Sequence, residues 1–215
     1  DDKEIASAFL KRNRKERETP EQLPLDFDEQ LGKRVKSVLT AFDEFARLPE
    51  KTPGEISIKE KAYRALTSGS NWYNLRILAD MAIAPFFILK TAANEKLIAT
   101  DGVYREYLRG AQMIGQIPAK AQAVGVEKRF FHWFLEFPEI FANGGFDCIL
   151  GNPPFLKGAG ISGTFGFNYL NFITNYFSPL GGQADLVTYF FRRNFSIIKN
   201  NGFISLISTN TISQG

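Results

Sequence analysis

The sequence predicts an α/β protein: a mainly helical segment over residues 1–128, then a region over 129–215 in which strands and helices alternate. Three observations carry this. Phe27 to Leu48 places Leu31, Val35, Val38, Leu39, Phe42 and Phe45 at three- and four-residue steps, the spacing of one helical face. Phe146-Asp147-Cys148-Ile149-Leu150-Gly151 is a short apolar run closed by glycine and proline, which reads as a strand. Asp185 to about Lys199, the Asn200-Asn201-Gly202 stop and the apolar run Phe203–Ser208 then read as helix, break and strand, a crossover returning the chain parallel to the first strand.

Taken in order, Leu10 to Arg17 carries Lys11, Arg12, Arg14, Lys15 and Arg17 and reads as a solvated face or mobile end, a phosphate contact being the lesser reading. Pro20 and Pro24 precede the periodic helix, and a loop holding Pro53 and Gly54 ends it. A second helix covers about Ile58 to Leu66. The Ser68-Gly69-Ser70-Asn71 cluster breaks the chain and offers an N-cap to a mostly apolar helix from Trp72 to about Thr91, expected to be buried and to kink at Pro85. Another helix spans about Asp101 to Ile114, and after Pro118 a short helical run reaches Val126. Phe130 to Phe134 reads as a strand, with His132 packed and its ring nitrogen satisfied.

Composition bounds the function classes. With 44% hydrophobic and 14% aromatic residues a substantial core is available. The balance of 26 basic against 23 acidic side chains leaves a formal charge of +3, too mild to announce or exclude a nucleic-acid partner. The single cysteine, Cys148, lies inside the apolar strand, which rules out a disulfide within the chain and reads as packing in a reducing compartment. One histidine and one cysteine do not suggest a metal site. No run approaches the ~18 apolar residues of a membrane span, and Asp1-Asp2-Lys3-Glu4 does not open a secretory signal, so a cytoplasmic location is expected.

The most informative residues follow the first strand: Asn152-Pro153-Pro154-Phe155. Two prolines remove two backbone donors and fix two φ angles, and a residue before proline is driven out of the helical region, so the chain must turn rigidly here. Such a turn presents a carboxamide acceptor on Asn152, a backbone carbonyl on Pro153 and a flat apolar ring on Phe155. These suit an amino group on a planar carrier. Two acceptors gripping its two hydrogens favour a pyramidal nitrogen with a localised lone pair, so attack needs no prior general base. A side-chain amide of glutamine poses the same problem, so the tetrad reports an amino acceptor and not its carrier.

The tetrad resembles the catalytic motif of the S-adenosylmethionine-dependent N6-adenine DNA methyltransferases. The resemblance extends to His132-Trp133-Phe134-Leu135-Glu136-Phe137-Pro138-Glu139-Ile140-Phe141 with Gly144-Gly145, to Ala184-Asp185-Leu186-Val187-Thr188-Tyr189-Phe190-Phe191, and to Phe203 through Gly215, all similar to the methylase part of large fused restriction-modification enzymes. It implies that residues 129–215 are the later half of a Rossmann-like S-adenosylmethionine-dependent sheet, preceded by a helical insert. It also implies Asn152, Pro153, Pro154 and Phe155 as catalytic residues, S-adenosylmethionine as cofactor and DNA as partner. Phe stands where many relatives carry Tyr, which keeps stacking and removes a hydroxyl. Lys157, Gly158 and Gly160 are candidate DNA contacts just past the turn.

Gly158-Ala159-Gly160-Ile161-Ser162-Gly163 spells G-x-G-x-x-G, but its first glycine does not end a strand, so the segment reads as a flexible loop able to close over a target base. The Gly-rich strand-to-helix turn that holds the cofactor's methionine part in this family is not found in residues 1–130, and cofactor-binding residues are unassigned. The chain therefore reads as part of a longer polypeptide, expected to be inactive by itself. The alternatives are a protein-glutamine or RNA amino-methyltransferase, and a non-catalytic helical interaction module.

Overall fold

The computed structural model describes residues 1–18, 27–180 and 184–208, which divide between two units, Asp1–Glu139 and Ile140–Gly215. Pro20, Pro24, the Leu31 side chain and Thr209–Gly215 lie outside the described residues.

The first unit is helical: α1 (Lys3–Glu18), α2 (Phe27–Ala46), α3 (Pro53–Ser68), α4 (Ser70–Ile83), α5 (Asp101–Leu108), α6 (Gln116–Glu127) and α7 (Trp133–Glu136). Its centre is α4, which buries side chains on both sides. Trp72, Leu75, Leu78 and Ala79 pack with Val38 and Phe42 of α2 and with Leu135 of α7. Ile77 and Met81 pack with Ala121 and Val124 of α6 and with Ile88 and Ile98. Each large side chain so buried is worth roughly 1.5–3 kcal/mol, which is why a helix with so little polar surface sits inside.

Several expectations are corrected here. Pro53 and Gly54 open α3 instead of closing a loop. Thr52 caps Glu55 and the Glu55 side chain returns the bond, a reciprocal capping box, and proline fits the first helical position because its missing N–H would be unpaired there anyway. The expected Ser/Asn cap does not form, since α4 follows Gly69 without a side-chain cap. The long helix from Trp72 does not kink at Pro85. It stops at Ile83 and passes into a 3-10 turn, Ala84–Phe86, because proline cannot donate to the helical ladder. The Asp101 helix stops at Leu108, with Gly110 at φ 105° beyond it.

Phe130 to Phe134 is not a strand. The Phe130 amide donates to the Gly125 carbonyl at 2.8 Å, and the amides of Leu135 and Glu136 donate to the His132 carbonyl, winding the chain into α7. His132 is packed and satisfied, as expected: its Nε2 lies 2.7 Å from Asp80 Oδ1, both side chains buried. The basic run lies on the solvated face of α1, where Arg12 pairs with Glu16 and Arg14 with Glu18, each at 2.8 Å, and Arg17 with Asp101 at 3.0 Å.

A short helix, α8 (Pro138–Ala142), leads to the second unit, which holds β1 (Phe146–Gly151), α9 (Gly158–Phe165), α10 (Phe167–Tyr176), α11 (Leu186–Ile197) and β2 (Ile198–Leu206). The two strands pair in parallel, as the sequence predicts, and form a two-stranded sheet. Ile161, Ile173, Leu186 and Tyr189 make its apolar core. Among the described residues no helix is long and apolar enough to cross a membrane, and no cluster of three or more His, Cys, Asp or Glu could hold a metal ion.

Candidate active site

The site is built on the end of β1. In the register, Cys148 faces Phe203, Ile149 faces Ile204, Leu150 faces Ser205 and Gly151 faces Leu206. The expected stop at Asn200-Asn201-Gly202 is instead inside β2. Asn201 takes φ 68° and the register shifts between Phe146 and Cys148, so the strand absorbs an irregularity where the sequence suggested a break. Glycine is required at 202: a Cβ there would lie 2.6 Å from Ile198 Cγ1 and 3.0 Å from the Asp147 carbonyl oxygen. Asp147 forms an exposed ion pair across the two strands with Lys199, Oδ1 to Nζ 2.7 Å.

Side chains alternate across a strand. One sheet face therefore carries Ile149, Ile204 and Leu206, all half-buried, while the other presents Cys148, Leu150 at 76% exposure and Phe203 at 74%. Cys148 was expected to be packed; it is exposed, because nothing among the described residues covers that face.

Past β1 the chain turns between two backbone hydrogen bonds. The Ile207 amide donates to the Gly151 carbonyl at 3.0 Å, extending the strand pairing by one step, and the Leu186 amide at the start of α11 donates to the Leu156 carbonyl at 2.9 Å. Asn152 to Phe155 occupies the space between these two anchors. Leu156 then packs its side chain against the Ile161, Ile173, Leu186 and Tyr189 core. Thus the corner is stiffened from within by its prolines and held at both ends by neighbouring elements.

Pro153 is buried, and Asn152, Pro154 and Phe155 are exposed. The Asn152 carboxamide makes no hydrogen bond among the described residues, and the Phe155 ring, 52% exposed, has no ring partner among them. Lys157 is exposed and precedes α9; Gly158 is buried as the first residue of that helix; Gly160 is half-buried, with room for a Cβ 3.6 Å from Leu156 Cδ2. The glycine-rich segment is thus a helix and not a flexible loop. Glycine costs only about 1 kcal/mol per helical position, and the fully buried Ile161 ties the segment down.

The arrangement offers an acceptor, a ring face and no titratable side chain in the tetrad itself. No Gly-rich strand-to-helix turn occurs among the described residues. Burial raises the hydroxyls of Tyr169 and Tyr189 in the core beneath, so both stay neutral. Leu156, Leu186 and Ile207 are the supports that motif reading missed. Their contribution is a carbonyl, two amides and apolar packing, and the only trace of it in the sequence is an apolar residue directly after the turn.

The sequence model of the Eco57I restriction-modification methylases matches residues 59–215, a stretch that includes the tetrad, β1, β2 and the helical unit from the middle of α3 onward. Neither a curated protein nor a solved structure gives a significant match. A match of that extent over most of the chain assigns it a methyltransferase role in restriction-modification, and the chain belongs to the Eco57I restriction-modification methylase family.

Proposed function

We propose that this chain carries the acceptor half of an adenine-specific DNA methyltransferase, in which the methyl group of S-adenosylmethionine passes to the N6 amino group of an adenine turned out of the duplex. The observation that carries this reading is the corner at 152–155: a rigid turn, anchored at Gly151 and Leu156, with an unengaged carboxamide and an open phenyl face. Asn152 Oδ1 and the Pro153 carbonyl would accept the two N6 hydrogens and aim the nitrogen lone pair. Pro154 keeps the corner from relaxing, and Phe155 stacks on the base. Turning an adenine out costs a few kcal/mol, and one aromatic contact returns about 1–3 kcal/mol of it. The displaced proton leaves N6 for solvent after transfer, so the corner needs no base of its own. The donor is held, in this reading, by further parts of the natural polypeptide, whose sheet continues the two parallel strands into a Rossmann-like layer and covers the apolar face of Cys148, Leu150 and Phe203. Parallel sheets are stable when both faces are covered, which supports that completion.

The test uses the complete natural polypeptide. Asn152→Ala is expected to abolish methylation of adenine in duplex DNA while leaving DNA affinity within about twofold, since the change removes an acceptor and no phosphate contact. Unchanged methylation would refute the role given to Asn152, and methyl transfer to a protein glutamine or to RNA in place of DNA would replace the acceptor.

A further inference from the structure

One helix of the first unit holds the chain's whole formal charge. α1 carries six basic side chains, Lys3, Lys11, Arg12, Arg14, Lys15 and Arg17, against three acidic ones, Glu4, Glu16 and Glu18. Of the 26 basic and 23 acidic residues in the sequence, that leaves 20 of each for everything else, so the net +3 resides in α1. The helix turns a half-buried stripe, Ile5, Phe9, Asn13 and Glu16, toward its neighbours. Phe9 packs on the core around Ile77 and Met81, and Asn13 and Glu16 accept the Asp101 and Gly102 amides of α5. Glu16 is thereby drawn inward. The opposite face shows Lys3, Lys11, Arg14 and Lys15, all exposed, with Glu4 and Glu18 as the acids of α1 left to balance them.

The cations on that face are crowded. Residues three and four apart are neighbours on a helix surface, and those of Lys11 are Ala8, Ser7, Arg14 and Lys15, two cations and no carboxylate. Like charges at that spacing destabilise a helix. The helix dipole favours Lys15 and Arg17 in the last turn, but Lys11 lies ahead of it and makes no ion pair among the described residues. Arg14 lies 2.8 Å from Glu18, yet with the two side chains 83% and 62% exposed such a pair adds little to stability and gives way readily to another anion. The folded chain gains nothing from this arrangement, whereas a polyanion would.

We propose that the outward face of α1, with Lys11, Arg14 and Lys15 at its centre, binds the phosphates of the duplex DNA backbone. The proposal rests on the DNA reading above and adds to it an electrostatic anchor in the helical unit. Charge complementarity selects this occupant: phosphate contacts ask for cations and for no particular base, and the rest of the chain is neutral as a set. Docking of α1 favours it as well. The Phe9 packing and the bonds from Asn13 and Glu16 to α5 fix the helix, so the cations are presented on a rigid support.

The experiment measures binding of the complete natural polypeptide to duplexes with and without its target sequence, over a range of salt concentrations. In the triple variant Lys11→Gln, Arg14→Gln, Lys15→Gln the helix keeps good formers and loses three charges. The slope of log K against log salt is expected to fall by about 2.7, at about 0.9 for each phosphate contact, so the affinity gap to the unaltered protein should narrow about 40-fold between about 50 and 200 mM salt. The loss should be equal on the two duplexes, and methylation at saturating DNA should keep its rate. Glu18→Gln should tighten binding, whereas Glu60→Gln, which breaks the similar pair to Arg64 on α3, should leave it unchanged. An unaltered slope and affinity in the triple variant would overturn the proposal, and a face made for an acidic protein would give that result. Equal gains from Glu18→Gln and Glu60→Gln would also overturn it, since binding would then follow net charge alone. The two readings separate cleanly: methylation surviving Asn152→Ala strikes the adenine mechanism, whereas methylation lost in Asn152→Ala with an unaltered slope in the triple variant strikes the α1 face alone.

Discussion

Asp80 is fully buried, and one of its oxygens, Oδ1, meets His132 at 2.7 Å while Oδ2 has no hydrogen-bond partner among the described residues. The carboxylate is accommodated because residue 125 has no side chain: a Cβ there would lie 2.7 Å from Asp80 Cγ and Oδ2. Gly125→Ala is therefore expected to destabilise the helical unit by about 1–3 kcal/mol, the range for overfilling a packed site, even though alanine is the better helix former. Chemical denaturation of the two proteins checks this, and equal midpoints would show that the carboxylate can move aside. At the 152–155 corner the exposed phenyl ring of Phe155 carries the stacking role proposed above. Phe155→Trp should retain activity in the complete polypeptide, whereas Phe155→Ala should lose about 5- to 150-fold in kcat/KM, corresponding to one base stack. Equal rates for the two would argue against stacking.

At the scale of elements, α1 acts on α5 as a cap supplied from a distance. The amides of Asp101 and Gly102, unpaired donors of the first turn of α5, reach Asn13 Oδ1 at 2.7 Å and Glu16 Oε2 at 2.6 Å. Burial pulls the Glu16 carboxyl up, but the Gly102 amide and Arg12 outweigh it and hold the group below the ordinary carboxylate value of 4.5. A depressed carboxylate lends stability that is present above its unfolded value and is lost as pH falls through the folded one. Glu16→Ala should cost about 1 kcal/mol at neutral pH, as for losing a cap. The gap between it and the unaltered protein should close as the pH drops below about 4.5. A pH-independent gap, read from melting curves, would mean that the side chain acts by packing.

Over the helical unit as a whole, Tyr63 of α3 donates its hydroxyl to Glu136 Oε2 of α7 at 2.6 Å, linking helices far apart in sequence. Burial and then the Glu136 carboxylate push the phenol up to about 12 from its ordinary 10. A raised folded value means stability fully present below pH ~10 and lost between there and about 12. Melting curves over that window should show the unaltered protein falling faster than Tyr63→Phe, and parallel curves would place the phenol in solvent instead.

The paired strands, the rigid corner between them, the crossover helix and the packed histidine could all be read from residue order, because proline stereochemistry, apolar runs and spacing act locally. The errors share a cause. Phe130–Phe134 has strand-like alternation, yet a strand needs a ladder partner, and the Phe130 amide finds the Gly125 carbonyl. Gly158–Gly163 has the composition of a loop, yet burial of Ile161 makes it a helix. Cys148 has apolar neighbours in sequence and an exposed place in space. By itself the chain's sequence determined that a carboxamide and an aromatic ring leave the end of a strand on a fixed turn, since two prolines allow little else. Only the tertiary structure decided what steadies that turn, because the Leu186 and Ile207 amides and the core around Leu156 come from residues distant in sequence, whose meeting is set by burial and not by local preference.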